Sequence, residues 1–130
     1  PLTYVPETHP NAGTESAKHI TKVTTLATDA VGLKVFLAAN KPKACDFQLY
    51  WRTSTGAESI HTNAWNLVSP AVNHSPDSNK NVFREYQYLI GGEGGNLAKF
   101  TSFQLKIVMQ STNSAQVPTF RDLRAIALAV

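Results

Sequence analysis

Four histidines are the first candidates for metal or acid–base chemistry in this 130-residue chain: His9, His19, His61 and His74. None stands two, three or four residues from another, the spacings at which one element presents two ligands to a metal ion. A metal site would therefore have to be assembled by the fold, and we predict that there is none. We interpret His61 and His74 as surface residues of loops.

Nucleophilic chemistry has one candidate thiol. Cys45 is the only cysteine, so the chain can form no internal disulfide. A reactive thiol needs a neighbouring base or positive charge that lowers its pKa, and no pattern around Cys45 suggests one. We interpret Cys45 as a small buried apolar residue. The chain also lacks the G-x-S-x-G motif that exposes a catalytic serine.

Paired carboxylates could act as general acid and base if the fold brought two together in different environments. Glu85 stands between Arg84 and Tyr86 on a predicted strand, and Asp122 follows Arg121. We interpret both carboxylates as partners in ion pairs at the surface of a sheet. The sequence therefore predicts no catalytic residue and no cofactor, and we expect a protein that is not an enzyme.

A run of glycines, GGEGG at Gly91–Gly95, could cradle a phosphate. The phosphate-binding loop also needs a Lys-Ser/Thr pair at the start of a helix, whereas Asn96-Leu97-Ala98 follows here. We interpret the run as a flexible linker between strands, which could allow close approach of a neighbour or ligand. The twelve basic residues are scattered and the net charge is only +3, so we expect no nucleic-acid partner.

Aromatic side chains are the remaining candidates, because aromatics on the exposed face of a β-sandwich can stack on sugar rings. The alternative is packing within the core and across strands. We expect Trp51 and Tyr86 in the core, and Tyr50 exposed on the opposite face of its strand from Trp51. Four residues are candidate contacts for a ligand or partner: Tyr50, Arg52, Trp65 and Tyr88.

Short apolar runs separated by turns indicate the elements that must position these residues. Apolar residues alternate over 33–37, 47–51, 82–90 and 103–109, and β-branched residues favour a further strand within 18–29. Gly32 is expected to break the chain between the first two strands, and Asn40–Lys43 to form a turn. Trp65 is expected on a short strand at 64–68. Polar loops are expected at 70–81 and 111–118.

The segment from Thr119 to Ala129 could be read as a helix because of Leu123, Ala125, Ala127 and Ala129. Pro118 and the alternation that begins at Arg124 favour a strand, which we expect to be buried. Seven or so short strands with turns between them predict an all-β protein, an antiparallel β-sandwich of jelly-roll-like type.

The domain organisation follows from these elements. We expect residues 1–16 to be an N-terminal arm or linker, because prolines and a glycine interrupt them without periodicity. Residues 17–130 then form a single β-sandwich domain. No apolar run approaches the ~20 residues that cross a bilayer, and no signal peptide is visible. The start at Pro1 instead of Met suggests a fragment of a longer protein or a processed one.

Two stretches resemble a known class of protein: FREYQYLIGGEGG at 83–95, and FTSFQLKIVMQSTNSAQVPTFRDLRAIALA at 100–129. They are similar to C-terminal segments of virion structural proteins from tailed phages, above all large tail and baseplate-associated proteins of T4-like marine phages and cyanophages. The shared pattern is F-x-x-F-Q-hydrophobic-K-I-V-M, then S-T-N-S, V-P and D-L-R-x-I-A-L. The stretch GLKVFLAANKPKACDFQLYWRT at 32–53 and Trp65 also look like that set.

The resemblance implies a non-enzymatic building block of a tail, baseplate or fibre. Because proteins of this class have no catalytic residues, the resemblance assigns none to this chain. Its partners would be other virion proteins or symmetry-related copies, with no nucleic acid and no membrane insertion. Its location would be the phage particle, assembled in the host cytoplasm. The alternative is a carbohydrate-binding module of lectin-like jelly-roll type that reads a host-surface glycan.

Overall fold

The computed structural model describes residues 7–10, 18–56, 58–79, 81–91, 97–111 and 118–129. These ranges contain strands with antiparallel pairings and one short 3₁₀ turn at Ile60–Thr62, but no α-helix. The strands are β1 (Lys18–Ile20), β2 (Thr24–Asn40), β3 (Cys45–Ser54), β4 (Asn66–Val68), β5 (Arg84–Gly91), β6 (Phe100–Ser111) and β7 (Thr119–Ala129). The protein is an all-β antiparallel sandwich of jelly-roll-like form, as the sequence predicts.

The strands form two layers that share β2. In the first layer the order is β4-β3-β6, and β6 is flanked on its other side by β1 and the start of β2. In the second layer β2 lies between β5 and β7. Thr24 and Thr25 pair with β6, whereas the segment from Leu33 to Ala39 pairs with both β5 and β7. The long β2 strand therefore passes from one layer to the other.

The prediction that Gly32 breaks the chain is wrong, because β2 runs through it without interruption. The pairing with β7 shifts register between Ala30 and Gly32, so that β2 carries one extra residue there. Such a bulge bends a strand and increases its twist without ending it. Gly32 thus marks the bend at which β2 changes layers.

The core lies between the layers, and the predicted alternation positions it. Tyr86, Tyr88 and Ile90 of β5 are buried, as expected for one face of that strand. The Phe47 ring of β3 makes edge-to-face contacts with Tyr86 and Phe120, at centroid distances of 5.0 and 5.1 Å. Because β3 does not pair with the strands of these partners, the contacts join the two layers face to face.

The last described segment is a strand and not a helix, as predicted. β7 pairs with β2 from Ala30↔Ala129 to Asn40↔Thr119. The expectation that this strand is buried is wrong, since most of its residues are exposed. It is an edge strand, covered on one face by the core. Of the expected loops, Gly92–Gly95 and residues 112–117 lie outside the described part of the chain.

Candidate functional site

Three of the four predicted contact residues, Tyr50, Arg52 and Trp65, meet on the outer face of β3 and β6. They are only 3%, 4% and 2% exposed, respectively. The prediction that Tyr50 is exposed is therefore wrong. Residues 7–10 and the segment around the 3₁₀ turn cover this face, which would otherwise be in contact with solvent. We call this group, with Gln104, Lys106 and Glu7, the outer-face network.

Cation–π contacts organise the outer-face network. The guanidinium carbon of Arg52 lies 4.1 Å from the ring centroid of Trp65. The Lys106 ammonium lies 4.8 Å from the same ring and 5.1 Å from the ring of Tyr50. Desolvated contacts of this kind are worth about 2 kcal/mol or more each. The two cations are thus stabilised by aromatic faces that the sequence alone left as candidate sugar platforms.

Arg52 joins three segments of the chain through its guanidinium. Its Nε and Nη2 donate to Gln104 Oε1 at 3.0 and 2.7 Å. Its Nη1 donates to the carbonyl oxygens of Pro10 and Asn63, at 3.1 and 3.2 Å. Burial lowers the pKa of Arg52, but guanidinium groups stay protonated in proteins. Because these donors bind acceptors of the protein itself, the role of Arg52 is structural: it connects β3 to β6, to residues 7–10 and to the loop before β4.

Lys106 and Glu7 complete the network. The Lys106 ammonium donates to the Glu7 carbonyl oxygen at 2.6 Å and lies 3.8 Å from its carboxylate. Lys18 pairs with the same carboxylate oxygen at 2.9 Å. Burial lowers the pKa of Lys106, and the Glu7 charge opposes that shift. The Trp65 amide also donates to the Thr8 carbonyl at 2.8 Å. These contacts fasten residues 7–10, part of the predicted arm, onto the domain's own sheet.

A cavity of about 350 Å³ opens beside the outer-face network. Its walls include Lys18, Arg52, His61, Trp65 and Lys106. His61 is exposed, as predicted, and its Nδ1 lies 3.5 Å from Arg52 Nη2. The cationic groups of this wall are already held by protein acceptors, which makes the wall a part of the network that anchors residues 7–10.

Tyr88 is separate from the other three candidates. It projects from β5 into the space between the layers and is 2% exposed. With Tyr86 it borders a second cavity of about 190 Å³. We call this cavity the interlayer cleft and define it by Lys41, Asp46, Phe47, Asn73, Tyr86 and Tyr88. The structure therefore divides the predicted site into two places on opposite faces of β3.

Burial controls the protonation of both phenols in the interlayer cleft. Desolvation, with the nearby charges of Asp77 and Asp46, raises the pKa of Tyr86 to about 12. Desolvation, with Tyr86 and Asp46 nearby, raises the pKa of Tyr88 further. Both side chains are therefore neutral hydroxyl groups at physiological pH. The buried Tyr86 hydroxyl has no hydrogen-bond partner among the described residues.

Asp77 anchors the loop that forms one wall of the interlayer cleft. It accepts hydrogen bonds from Arg84 Nε at 2.5 Å and from the Lys41 amide at 3.1 Å. Its own amide donates to the Lys41 carbonyl at 2.7 Å. Burial would raise the pKa of Asp77, but these hydrogen bonds outweigh it and hold the pKa below its usual value. His74 of this loop is half-buried, and its ring packs edge-on against Tyr86 at 5.0 Å.

The remaining candidates for chemistry have structural partners. Arg124 pairs with Glu85 at 3.0 Å and with Asp122 at 3.3 Å, which confirms the predicted surface ion pairs. Cys45 is buried, as predicted, with its Sγ 3.4 Å from Ser111 Oγ. No group of three His, Cys, Asp or Glu side chains that could hold a metal occurs in the described ranges. Nor do those ranges contain a helix long and apolar enough to span a lipid bilayer.

Sequence reasoning missed Gln104 and Lys106, which lie opposite Arg52 and Tyr50 in the register of β3 and β6. Two polar residues at alternate positions of the otherwise apolar stretch Phe103–Met109 were the available signal, and the simplest interpretation is a solvent-facing side. Both are buried, at 6% and 2% exposure. Glu7 was missed because nothing local predicts that a residue of the arm becomes fully buried.

Comparisons with known proteins add no identity to this geometry. No protein-family model, curated protein or solved structure matches the chain. The resemblance to phage virion proteins therefore stays a prediction. Since one fold supports many functions, the function must be argued from the residues themselves.

Proposed function

We propose that this chain is a non-enzymatic structural domain of a phage particle, from the tail, baseplate or fibre, and that it acts in assembly. Its partners would be symmetry-related copies or other virion proteins. The resemblance of residues 83–95 and 100–129 to such proteins motivates the setting. The observation that carries the assembly role is the open edge of β7.

The β7 strand offers a template for another strand. It pairs with β2 along one side, and none of the described strands pairs with its other side. Its eleven residues are mostly exposed, and the stretch Ala125–Ala129 carries no charge. Long, lightly charged edges are rare in isolated domains because they recruit strands from other chains. Addition of a strand here would pair the main-chain groups on the side of β7 that no described strand contacts.

The opposite edge of the same layer is protected. The amides of Ala71 and Val72 donate to the Gln87 carbonyl at 2.6 and 3.2 Å, and the Gln87 amide returns a bond to Val72 at 3.2 Å. His74 Nε2 lies 2.7 Å from the Glu85 carbonyl. A loop therefore occupies part of the β5 edge. The edge strands β1 and β4 have three residues each, too few for a stable pairing of their own.

A matched pair of substitutions tests pairing through β7. Leu89 of β5 and Ile126 of β7 both lie directly opposite Lys34, and they are 54% and 51% exposed. Ile126→Lys adds a charge to the open edge strand, and Leu89→Lys adds the same charge to the protected one. We expect wild-type self-association in light scattering over a concentration series, and Ile126→Lys to weaken it about tenfold or more.

Leu89→Lys should leave this association unchanged, and circular dichroism should show that both variants keep the fold. Equal loss of self-association in both variants would indicate packing through the exposed face of the layer formed by β5, β2 and β7. That result would refute pairing through the edge of β7. A wild-type chain that stays monomeric at its highest soluble concentration would also refute self-assembly. Immunogold labelling of phage particles with an antibody to this domain tests whether the domain is part of the particle. Absence of label on both intact and disrupted particles would contradict that location.

A carbohydrate-binding module is the second candidate function. The predicted mode, stacking of a glycan on exposed aromatics, loses its support because Tyr50, Trp65 and Tyr88 are buried. The interlayer cleft favours the function in another form, since Tyr88 lines a cavity there with other aromatic and polar groups. A glycan of the host surface would then bind in a cleft between the two layers of the sandwich.

A further inference from the structure

The interlayer cleft lies where β3 extends past its short neighbour β4. β4 pairs only with the segment Leu49–Trp51, so Asp46–Gln48 presents a main-chain edge that no other described strand pairs on that side. β5 faces this edge with Tyr86 and Tyr88. The cleft volume of about 190 Å³ equals about six water molecules at ~30 Å³ each. This is the size class of a single monosaccharide unit.

The Tyr86 hydroxyl is the polar group of the cleft that a ligand could supply with a hydrogen bond. Tyr86 is 1% exposed, it lines the cleft, and its hydroxyl has no protein partner within the described ranges. Buried polar atoms nearly always have a hydrogen-bond partner, and an exception needs an explanation such as a water molecule or a ligand. A phenol both donates and accepts, which suits the hydroxyl group of a ligand.

The charges at the cleft compensate each other. Lys41 Nζ lies 3.7 Å from Asp46 Oδ1, and the same oxygen accepts the Phe47 amide at 2.8 Å. Lys41 also lies over the rings of Phe47 and Tyr86, at 5.9 and 5.5 Å. With one cation and one anion in contact, the cleft has no excess charge with which to select an ion. Its phenol and carboxylate groups instead suit a neutral ligand that carries hydroxyl groups.

We propose that the interlayer cleft binds one neutral monosaccharide unit, held by the hydroxyls of Tyr86 and Tyr88 and by Asp46, beside the edge of β3 that no described strand pairs. The unit could be a free sugar or the end of a glycan. This inference rests on the second candidate function, carbohydrate binding, and is independent of pairing through β7.

The test uses the whole chain and saturation-transfer difference NMR with the methyl glycosides of glucose, galactose, mannose and N-acetylglucosamine. We expect at least one to bind with a Kd in the millimolar range. Tyr86→Phe and Tyr88→Phe remove one hydroxyl each and should each weaken binding about tenfold. Tyr50→Phe removes a hydroxyl on the other face of β3 and should leave affinity unchanged. Circular dichroism checks that each variant folds.

The outcomes separate the site from the function. If binding persists unchanged in both Tyr86→Phe and Tyr88→Phe, the cleft is not the binding site, but carbohydrate binding remains the function. Absence of binding to every glycoside and to an oligosaccharide panel would refute both. A crystal structure grown with a bound glycoside that shows only ordered water at Tyr86 would refute the cleft alone. Preference for glucuronate or glucosamine over the neutral sugars would refute the neutral ligand. Tighter binding to an oligosaccharide than to its terminal glycoside would identify a glycan end, and equal binding a free sugar.

Discussion

Arg52 and Trp65 are stacked on the outer face of the sandwich, with the guanidinium carbon 4.1 Å from the ring centroid, although neither residue belongs to the main core. The contact places a permanent positive charge in a buried position, where four hydrogen bonds to protein oxygens compensate it. It also joins β3 to residues 7–10 and to the loop before β4. Arg52 is therefore one of the residues that stabilise this side of the protein, together with Lys106 and Lys18.

Replacement of Arg52 should destabilise the fold strongly. Arg52→Ala leaves Gln104 and two carbonyl groups without their donor and should lower the free energy of unfolding by about 3 kcal/mol in urea titrations. Arg52→Lys should recover only part of this loss, because an ammonium cannot reproduce the guanidinium fork. Arg121 provides a matched control, since it lies 4.1 Å over the ring of Phe83 but is exposed. A loss below about 0.5 kcal/mol is expected for Arg121→Ala, and similar losses at both positions would contradict this account.

Removal of the Tyr86 hydroxyl should stabilise the ligand-free protein. The group is buried without a described partner, and such a group costs about 1–3 kcal/mol. Tyr86→Phe should therefore raise the free energy of unfolding by about 1 kcal/mol. Tyr50→Phe should not, because the Tyr50 hydroxyl donates to Gln48 at 3.4 Å. If Tyr86→Phe were instead destabilising, an ordered water or another group must already satisfy the hydroxyl.

Stability should fall at alkaline pH because of the two buried phenols. The pKa of Tyr86 is raised from 10.0 in the unfolded chain to about 12 in the folded one, and the pKa of Tyr88 is raised further. Above pH 10 the unfolded state loses these protons while the folded state keeps them, so unfolding becomes more favourable as pH rises. Urea midpoints measured from pH 8 to 12 should show this decline, and the decline should be shallower in Tyr88→Phe. A midpoint that stays constant over this range would contradict the buried, neutral state of both groups.

Acid should weaken the Asp77 anchor. The folded state lowers the pKa of this carboxylate, so its contribution is fully present above its unfolded value of 3.8 and is lost as pH falls below that value. Asp77→Asn should lower the free energy of unfolding by about 2 kcal/mol at pH 7, since it removes hydrogen bonds to a charged group. The difference between Asp77→Asn and wild type should shrink between pH 4 and 2. A difference independent of pH would show that the carboxylate charge contributes nothing.

Most of the strands, and the face of β5 that meets the core, could be predicted from the sequence alone. Alternation at Tyr86, Tyr88 and Ile90 was sufficient, because side chains on a strand point to opposite faces with a period of two. The terminal segment could be identified as a strand from Pro118 and the alternation after it. The ion pair of Asp122 with Arg124 was also predictable, since the two charges stand two residues apart on one strand and therefore lie on the same face. The partner of Glu85 was not, because Arg124 reaches it across β2.

The segments that cover the second face of β3 could not be predicted from the sequence. Alternation predicts that Tyr50 and Arg52 lie opposite the core, but it cannot tell solvent from a covering segment. Residues 7–10 and the loop before β4 cover that face. The contacts that hold residues 7–10 join distant parts of the chain: Arg52 and Pro10 are 42 residues apart, and Lys106 and Glu7 are 99 residues apart. The same limit applies to Gly32, where the sequence shows a flexible residue but only pairing with β7 shows a bulge. Local patterns define which way a side chain points, whereas its surroundings depend on distant segments that the chain brings together only when it folds.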